Sequence, residues 1–151
     1  MFTLVFLYKL LLTVIGVALF SYIDRARGKV TVVSCIGGLV AFTVSEWLTY
    51  YIGSGFLAYF VAAYVTCFVA EVGARVLRVP VTVILLPSII PLVPGSLLYS
   101  TVRALMTGNE RWYIEYGAEA VQAITGIGIA IVSVSAIARF LYSAGSKIIG
   151  K

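Results

Sequence analysis

Histidine is absent from this 151-residue sequence, and charged residues account for only 11% of it. The lack of histidine removes the commonest metal ligand and the side chain that titrates closest to neutral pH, so proton coupling would fall on carboxylates. The low charge content excludes an ordinary water-soluble domain, in which about a quarter of the residues are charged. The two cysteines, Cys35 and Cys67, stand alone in separate apolar runs, which predicts neither a disulfide nor a zinc site. We therefore expect no metal and no cofactor.

Apolar residues dominate what is present. They make up 62% of the chain, and the mean hydropathy is +1.08. A helix needs about 20 predominantly apolar residues to cross the hydrocarbon core of a bilayer. Five runs are long enough, at residues 2–22, 30–50, 56–76, 79–106 and 113–142. The sequence therefore predicts an all-α integral membrane protein, a bundle of five transmembrane helices forming a single domain over residues 1–151.

The distribution of basic residues predicts the topology. The formal net charge of +5 comes from lysines and arginines scattered between the apolar runs, which is typical of topology signals and not of a nucleic-acid surface. Connectors rich in basic residues alternate with poor ones, and the rich ones hold Arg25, Arg27 and Lys29, then Arg75 and Arg78, then Arg139, Lys147 and Lys151. This alternation predicts five crossings, with the N-terminus outside and the C-terminus in the cytoplasm. If the fourth segment were re-entrant and did not cross, Arg111 and the basic tail would lie on the sides of the membrane opposite to those that this alternation requires.

The fourth run is the most informative part of the sequence, because Pro87, Pro91 and Pro94 interrupt it near mid-membrane and Gly95 follows directly. Each proline removes an amide hydrogen and clashes with the preceding turn. Broken backbone at membrane depth is tolerated only where protein surrounds it or where it lines a polar cavity, as in secondary transporters. The run therefore predicts a helix broken by prolines beside a substrate pathway. The alternative is a kink that only shapes packing.

A new half-helix is predicted to begin around Pro94 and to run through Arg103, since proline fits the first turn of a helix. The amides of Gly95, Ser96 and Leu97, with the helix dipole, would then offer a site for a carboxylate. Ser96, Tyr99 and Arg103 recur at helical spacing, which predicts that they share one face. Arg103 would either hold an anion or extend its guanidinium to the membrane surface.

Glu46 is the acidic residue best placed for proton or substrate coupling, because an ionisable group inside a span is costly and usually faces a polar interior. The alternative is an interfacial carboxylate, since Trp47, Tyr50 and Tyr51 beside it are typical of an aromatic belt. Gln122 and Thr125 in the last run would line the same cavity or bond two helices together.

Two further patterns predict structure and not chemistry. Glu71 and Arg75 are four residues apart, which predicts an ion pair within one helix. Small residues in the second run predict close approach of a neighbouring helix, at Gly37, Gly38 and Ala41.

The fourth run also resembles a known family. The pattern consists of Pro87-x-x-x-Pro91-Leu92-Val93-Pro94-Gly95, then Tyr99, then Thr107-Gly108-Asn109. It is similar to the threonine/serine exporter family, and the length and five-span layout resemble its small-subunit form, which corresponds to the C-terminal half of longer fused exporters. On this resemblance only the motif residues transfer as substrate contacts, namely Pro87, Pro91, Pro94, Gly95 and Tyr99, and no catalytic residue does.

The resemblance implies an exporter in the bacterial inner membrane, carrying threonine and serine or organic acids such as succinate and pyruvate. It also implies a second, larger membrane subunit. An odd number of spans agrees with this, because a related five-span partner would insert in the opposite sense and form an inverted repeat. Without such a partner, two alternatives are left. The chain would transport as a homo-oligomer, or it would be a non-transporting membrane scaffold. A membrane enzyme is disfavoured, because no nucleophile with a base, metal cluster or phosphate loop is visible.

Overall fold

The computed structural model describes residues 2–24, 26, 28–53 and 55–149, and every regular element in this part of the chain is a helix. The elements are α1 (Phe2–Ile23), α2 (Lys29–Ile52), α3 (Phe56–Leu77), α4 (Val81–Ile89), a 3₁₀ turn (Ile90–Leu92), α5 (Gly95–Met106) and α6 (Glu110–Ile149). Four of them are long and apolar enough to cross a membrane, or five if the bent α4–α5 pair counts as one crossing. The all-α prediction is confirmed, but the described residues form six α-helices where the sequence predicted five.

The extra helix arises because the fourth predicted segment divides after residue 89. Pro87 does not end α4, which continues through it to Ile89. The division comes one turn later, where Pro91 lies in the 3₁₀ turn, Val93 is extended and Pro94 caps the start of α5. The two halves meet at an angle of 49°. The predicted start of a half-helix around Pro94 agrees with this geometry.

Small residues bring α2 close to its neighbours. A side chain on Gly37 would meet the Ser88 hydroxyl of α4 at 2.5 Å, and one on Gly38 would meet a methyl of Val17 on α1 at 2.6 Å. Ala41 is buried in a cluster with Leu92 of the 3₁₀ turn. The small residues of the second run are therefore in contact with α1, α4 and the turn, as their spacing predicts.

Gly37→Ala tests this packing. We expect a lower melting temperature in detergent, because the added methyl would lie 2.5 Å from Ser88 Oγ and 2.9 Å from Ser88 Cβ. Overpacking of this kind costs about 1–3 kcal/mol, against a gain in helix propensity of at most about 1 kcal/mol. Gly16→Ala is the matched control, because a methyl on Gly16 meets nothing within 4 Å. Equal melting temperatures for the two variants would contradict the close approach of α2 and α4.

Helices α3 and α6 run in the same direction. Gly126 lies against Phe56 and Phe60 at the start of α3, and Ala130, one turn later, packs with Ala62 and Ala63. Because α3 and α6 run in the same direction, the segment that joins them must return the chain to the end of the bundle where α3 begins.

The first part of α6 extends beyond the start of α3. Sixteen residues separate Glu110 from Gly126, which is about 24 Å of helix. α5 packs against this extension, with the Thr101 methyl 3.6 Å from the position of a side chain on Gly117. The bend between α4 and α5 therefore takes α5 away from α2 and α3 and places it alongside α6. The predicted fifth run, residues 113–142, lies within α6.

Candidate functional site

A cavity of about 210 Å³ lies between the break in the fourth segment and the ends of α2 and α3. It is lined by Pro91, Leu92, Val93, Pro94 and Ser96 from the break, by Phe42, Ser45, Glu46 and Thr49 from α2, and by Tyr59 from α3. The cavity is smaller than the roughly 300–1,000 Å³ of pockets for drug-sized ligands, so its size suits a small metabolite. Hydroxyl groups and one carboxylate supply its polar lining.

The sequence predicted four of these lining residues as site residues. Pro91, Pro94 and Ser96 come from the broken segment and Glu46 from α2, so residues about 45 positions apart in the chain share one cavity. They meet because Ala41 and Leu92 pack together just below it. The cavity therefore occupies the place where α4 stops being a helix.

Two backbone amides at the start of α5 have no backbone acceptor. The Gly95 amide donates to Val93 O at 2.7 Å, and the Leu98 amide donates to Pro94 O at 3.0 Å. Among the described residues, the amides of Ser96 and Leu97 donate to no carbonyl. The sequence predicted an anion site of three amides. Two of them are left, because the Gly95 amide is already bonded to Val93 O in a tight turn. Two donors remain at the positive end of the helix dipole.

Glu46 forms an ion pair that the sequence did not predict. Lys9 Nζ of α1 lies 2.8 Å from Glu46 Oε1. Lys9 follows the start of α1 by seven residues, and Glu46 precedes the end of α2 by six, so each is about 10 Å from the same end of the bundle. Two consecutive antiparallel helices thus carry opposite charges at the same distance from one end of the bundle. The sequence contains this signal, from which the ion pair could have been predicted.

Tyr59 is a second residue that sequence reasoning missed. It lines the cavity from α3, and its phenol is within electrostatic range of the carboxylates of Glu46 and Glu119. Its position one turn after the start of α3 placed it among many interfacial aromatics in the sequence, so nothing distinguished it there.

The remaining predicted residues do not line this cavity. Pro87 is buried inside α4, one turn before the break. Tyr99 is 69% exposed, and Gly95 and Arg103 are also exposed on α5. Gln122 of α6 approaches the α2–α3 turn, with its side-chain oxygen 3.6 Å from the position of a side chain on Gly55.

Some polar groups form only local bonds. The Thr125 hydroxyl donates to Val121 O of its own helix at 2.7 Å, so it joins no second helix. Arg75 and Glu71 form the predicted ion pair within α3, at 3.6 Å. Cys67 is buried and Cys35 half-buried, and both are free thiols. Within the described ranges, no three acidic or cysteine side chains lie together as a metal site would require.

A second, larger cavity of about 650 Å³ adjoins the first on the side of α1. Its lining consists of Phe6, Thr43, Glu46, Trp47, Thr49, Tyr50 and Tyr51. Aromatic rings dominate it, with Trp47 and Tyr51 centroids 5.0 Å apart and Tyr50 and Tyr51 centroids 5.2 Å apart. Glu46 and Thr49 line both cavities, so the carboxylate of Glu46 stands between a polar cavity and an aromatic one.

Comparison with known proteins gives one finding. The profile of the family described as "Threonine/Serine exporter, ThrE" matches residues 9–137, which begin at Lys9 and include α2 to α5 and most of α6. Curated proteins and solved structures gave no match. The family points to a transporter and not to an enzyme. Since the match covers most of the chain and includes the broken segment, the chain belongs to the threonine/serine exporter family.

Proposed function

We propose that this chain is a subunit of a secondary transporter that exports small carboxylate-bearing metabolites across the bacterial inner membrane. The substrates would be threonine/serine-type amino acids or organic acids such as succinate and pyruvate. The observation that carries the proposal is the cavity at the break, where prolines open the backbone beside polar groups of α2 and α3. Broken helices with binding sites at the break are the usual design of secondary transporters.

The substrate carboxylate would bind at the start of α5. There the amides of Ser96 and Leu97 lack backbone acceptors, and the dipole of α5 favours a negative charge. The Ser96 hydroxyl and the Tyr59 phenol, which line the cavity, would donate or accept further hydrogen bonds. Glu46 would couple transport to an ion gradient, because it is the carboxylate in the cavity wall.

Five crossings support this arrangement better than four. Helices α3 and α6 run in the same direction, as the contacts of Gly126 and Ala130 require. A re-entrant α4–α5 hairpin would return the chain to the end where α3 stops, and α6 would then run opposite to α3. One bent crossing by α4 and α5 together avoids this. With five crossings, the basic connectors favour an N-terminus outside and a C-terminus in the cytoplasm.

A larger membrane subunit of the same family would complete the transporter. α5 packs mainly against α6, so its face with Tyr99 and Arg103 is exposed. Exposed polar groups are expensive against lipid, and a partner would cover them. The other candidate function is a membrane scaffold, in which the break and the glycines serve only to pack helices against such a partner.

One experiment distinguishes the transporter from the scaffold. It measures efflux of labelled serine, threonine, succinate and pyruvate from cells that express the chain with and without the larger subunit. We expect accelerated efflux of at least one substrate when both are present. The control is the same pair carrying a truncated copy of this chain that lacks α4 to α6. If no substrate leaves faster while both proteins are inserted in the membrane, the scaffold is the correct function.

A further inference from the structure

The Lys9–Glu46 ion pair links two neighbouring helices near one end of the bundle. It joins α1 to α2 at a separation of 2.8 Å, with 48% of the Lys9 side chain and 38% of the Glu46 side chain exposed. Both groups are about two helical turns inside the bundle end. A charged group at such depth is costly and usually faces a polar interior or a partner.

The pair also borders the cavity at the break. Glu46 lines that cavity together with Pro94 and Ser96. The Lys9 ammonium, 2.8 Å from the Glu46 carboxylate, reaches the cavity through this carboxylate. Without Lys9, the Glu46 carboxylate would repel a second carboxylate bound at the start of α5. Lys9 offsets this repulsion.

We infer that Lys9 is a recognition residue and that the Lys9–Glu46 ion pair is opened by the substrate. This inference rests on the proposed function. The ammonium group of an entering zwitterionic amino acid takes the place of Lys9 on the Glu46 carboxylate, and the released Lys9 ammonium pairs with the substrate carboxylate bound at the start of α5. One internal ion pair is replaced by two pairs with the substrate, and no bond is made or broken.

The charge balance of this exchange favours a zwitterion over a simple anion. Two opposite charges leave their partners, and the zwitterion provides a partner for each. Succinate or pyruvate would bind Lys9 but leave Glu46 without a cation, so these anions lose one of the two attractions that a zwitterion makes. The cavity would therefore discriminate by charge pattern, while its volume limits the size of the side chain.

The test separates recognition from a structural ion pair by exchanging the two charges. Lys9→Met and Glu46→Gln are each expected to reduce efflux of labelled serine by ~5-fold, the upper end of what a partly exposed ion pair contributes. The double variant Lys9→Glu with Glu46→Lys restores an ion pair between α1 and α2, so its melting temperature in detergent should match that of the wild type. Its serine efflux should stay low, because the cation now occupies the place beside the cavity where the substrate ammonium should bind.

Each outcome bears on a different claim. If the double variant recovers both melting temperature and efflux, the pair is structural and the inference is overturned. If the wild type exports succinate or pyruvate but neither serine nor threonine, the zwitterion exchange is wrong although the chain is an exporter. If the wild type with its larger subunit exports none of the four, the proposed function itself fails. Lys9→Arg, which keeps the charge, should retain more efflux than Lys9→Met, and equal loss in the two would also overturn a role for the cation.

Discussion

Gly126→Leu should prevent the bundle from assembling stably. A side chain on Gly126 would lie 2.8 Å from Phe56 O and 3.1 Å from Phe60 N, and these are backbone atoms that cannot turn aside. The whole of α3 or α6 must then move. We expect a loss of about 3 kcal/mol or more, at the upper end of the range for overpacking. The melting temperature in detergent and the yield of monodisperse protein measure it.

Gly128→Leu is the control for this prediction. It makes the same substitution in the same helix two residues later, where an added Cβ meets nothing within 4 Å and the residue is exposed. Leucine has a higher helix propensity than glycine, so this variant should melt at the wild-type temperature or above. A similar loss of stability in both variants would mean that α3 and α6 do not approach each other as described.

The contact at Gly126 also matters for the cavity. Phe60 follows Tyr59 directly in α3, and Tyr59 is a wall of the cavity. Displacing α3 would therefore move the Tyr59 phenol away from Ser96 and Glu46. For this reason Gly126→Leu is a poor probe of substrate recognition, and loss of efflux in it says nothing about the binding site.

Hydropathy alone located most of the helices. The predicted runs 30–50 and 56–76 differ from α2 (Lys29–Ile52) and α3 (Phe56–Leu77) by no more than two residues at either end. This accuracy has a physical origin, since a segment in lipid must satisfy its own backbone hydrogen bonds and only a helix does so. The break was also predictable, because three closely spaced prolines cannot continue a regular helix. Its first residue was not, since Pro87 remains inside α4.

The site was less predictable than the fold, because it depends on where helices turn after a break. Ser96, Tyr99 and Arg103 share a face of α5 by their spacing, but only Ser96 lines the cavity. The bend of 49° takes the rest of α5 towards α6. No rule of spacing within one segment contains that angle, which is set by how two other helices pack.

Partners across helices were missed for the same reason. Lys9 and Glu46 are 37 positions apart, and no pattern within either run links the two charges. Their pairing follows from the packing of α1 on α2, in which Gly38 admits Val17. A sequence pattern shows which residues share a face of one helix. Predicting a site between two helices also requires knowing how each helix is rotated about its own axis relative to the other.

Gly95→Leu should abolish efflux while leaving the protein folded. Gly95 is the first residue of α5, and a Cβ added there meets nothing within 4 Å. Side chains on a helix point towards its N-terminus, so we expect a leucine at this position to cover the amides of Ser96 and Leu97. We expect efflux to fall by ~100-fold, the loss typical when catalytic or binding groups are misplaced by about an ångström, with the melting temperature and membrane insertion unchanged.

Gly95→Ala and Gly128→Leu complete this test. Alanine adds only a methyl in open space, so Gly95→Ala should retain much of the efflux, and a graded loss from alanine to leucine indicates obstruction of the helix end. Gly128→Leu makes the same substitution away from the cavity and should export normally. If Gly95→Leu instead exports at the wild-type rate whenever it assembles, the break serves packing alone. The amides at the start of α5 would then have no part in substrate binding, and the scaffold would be the better account of this chain.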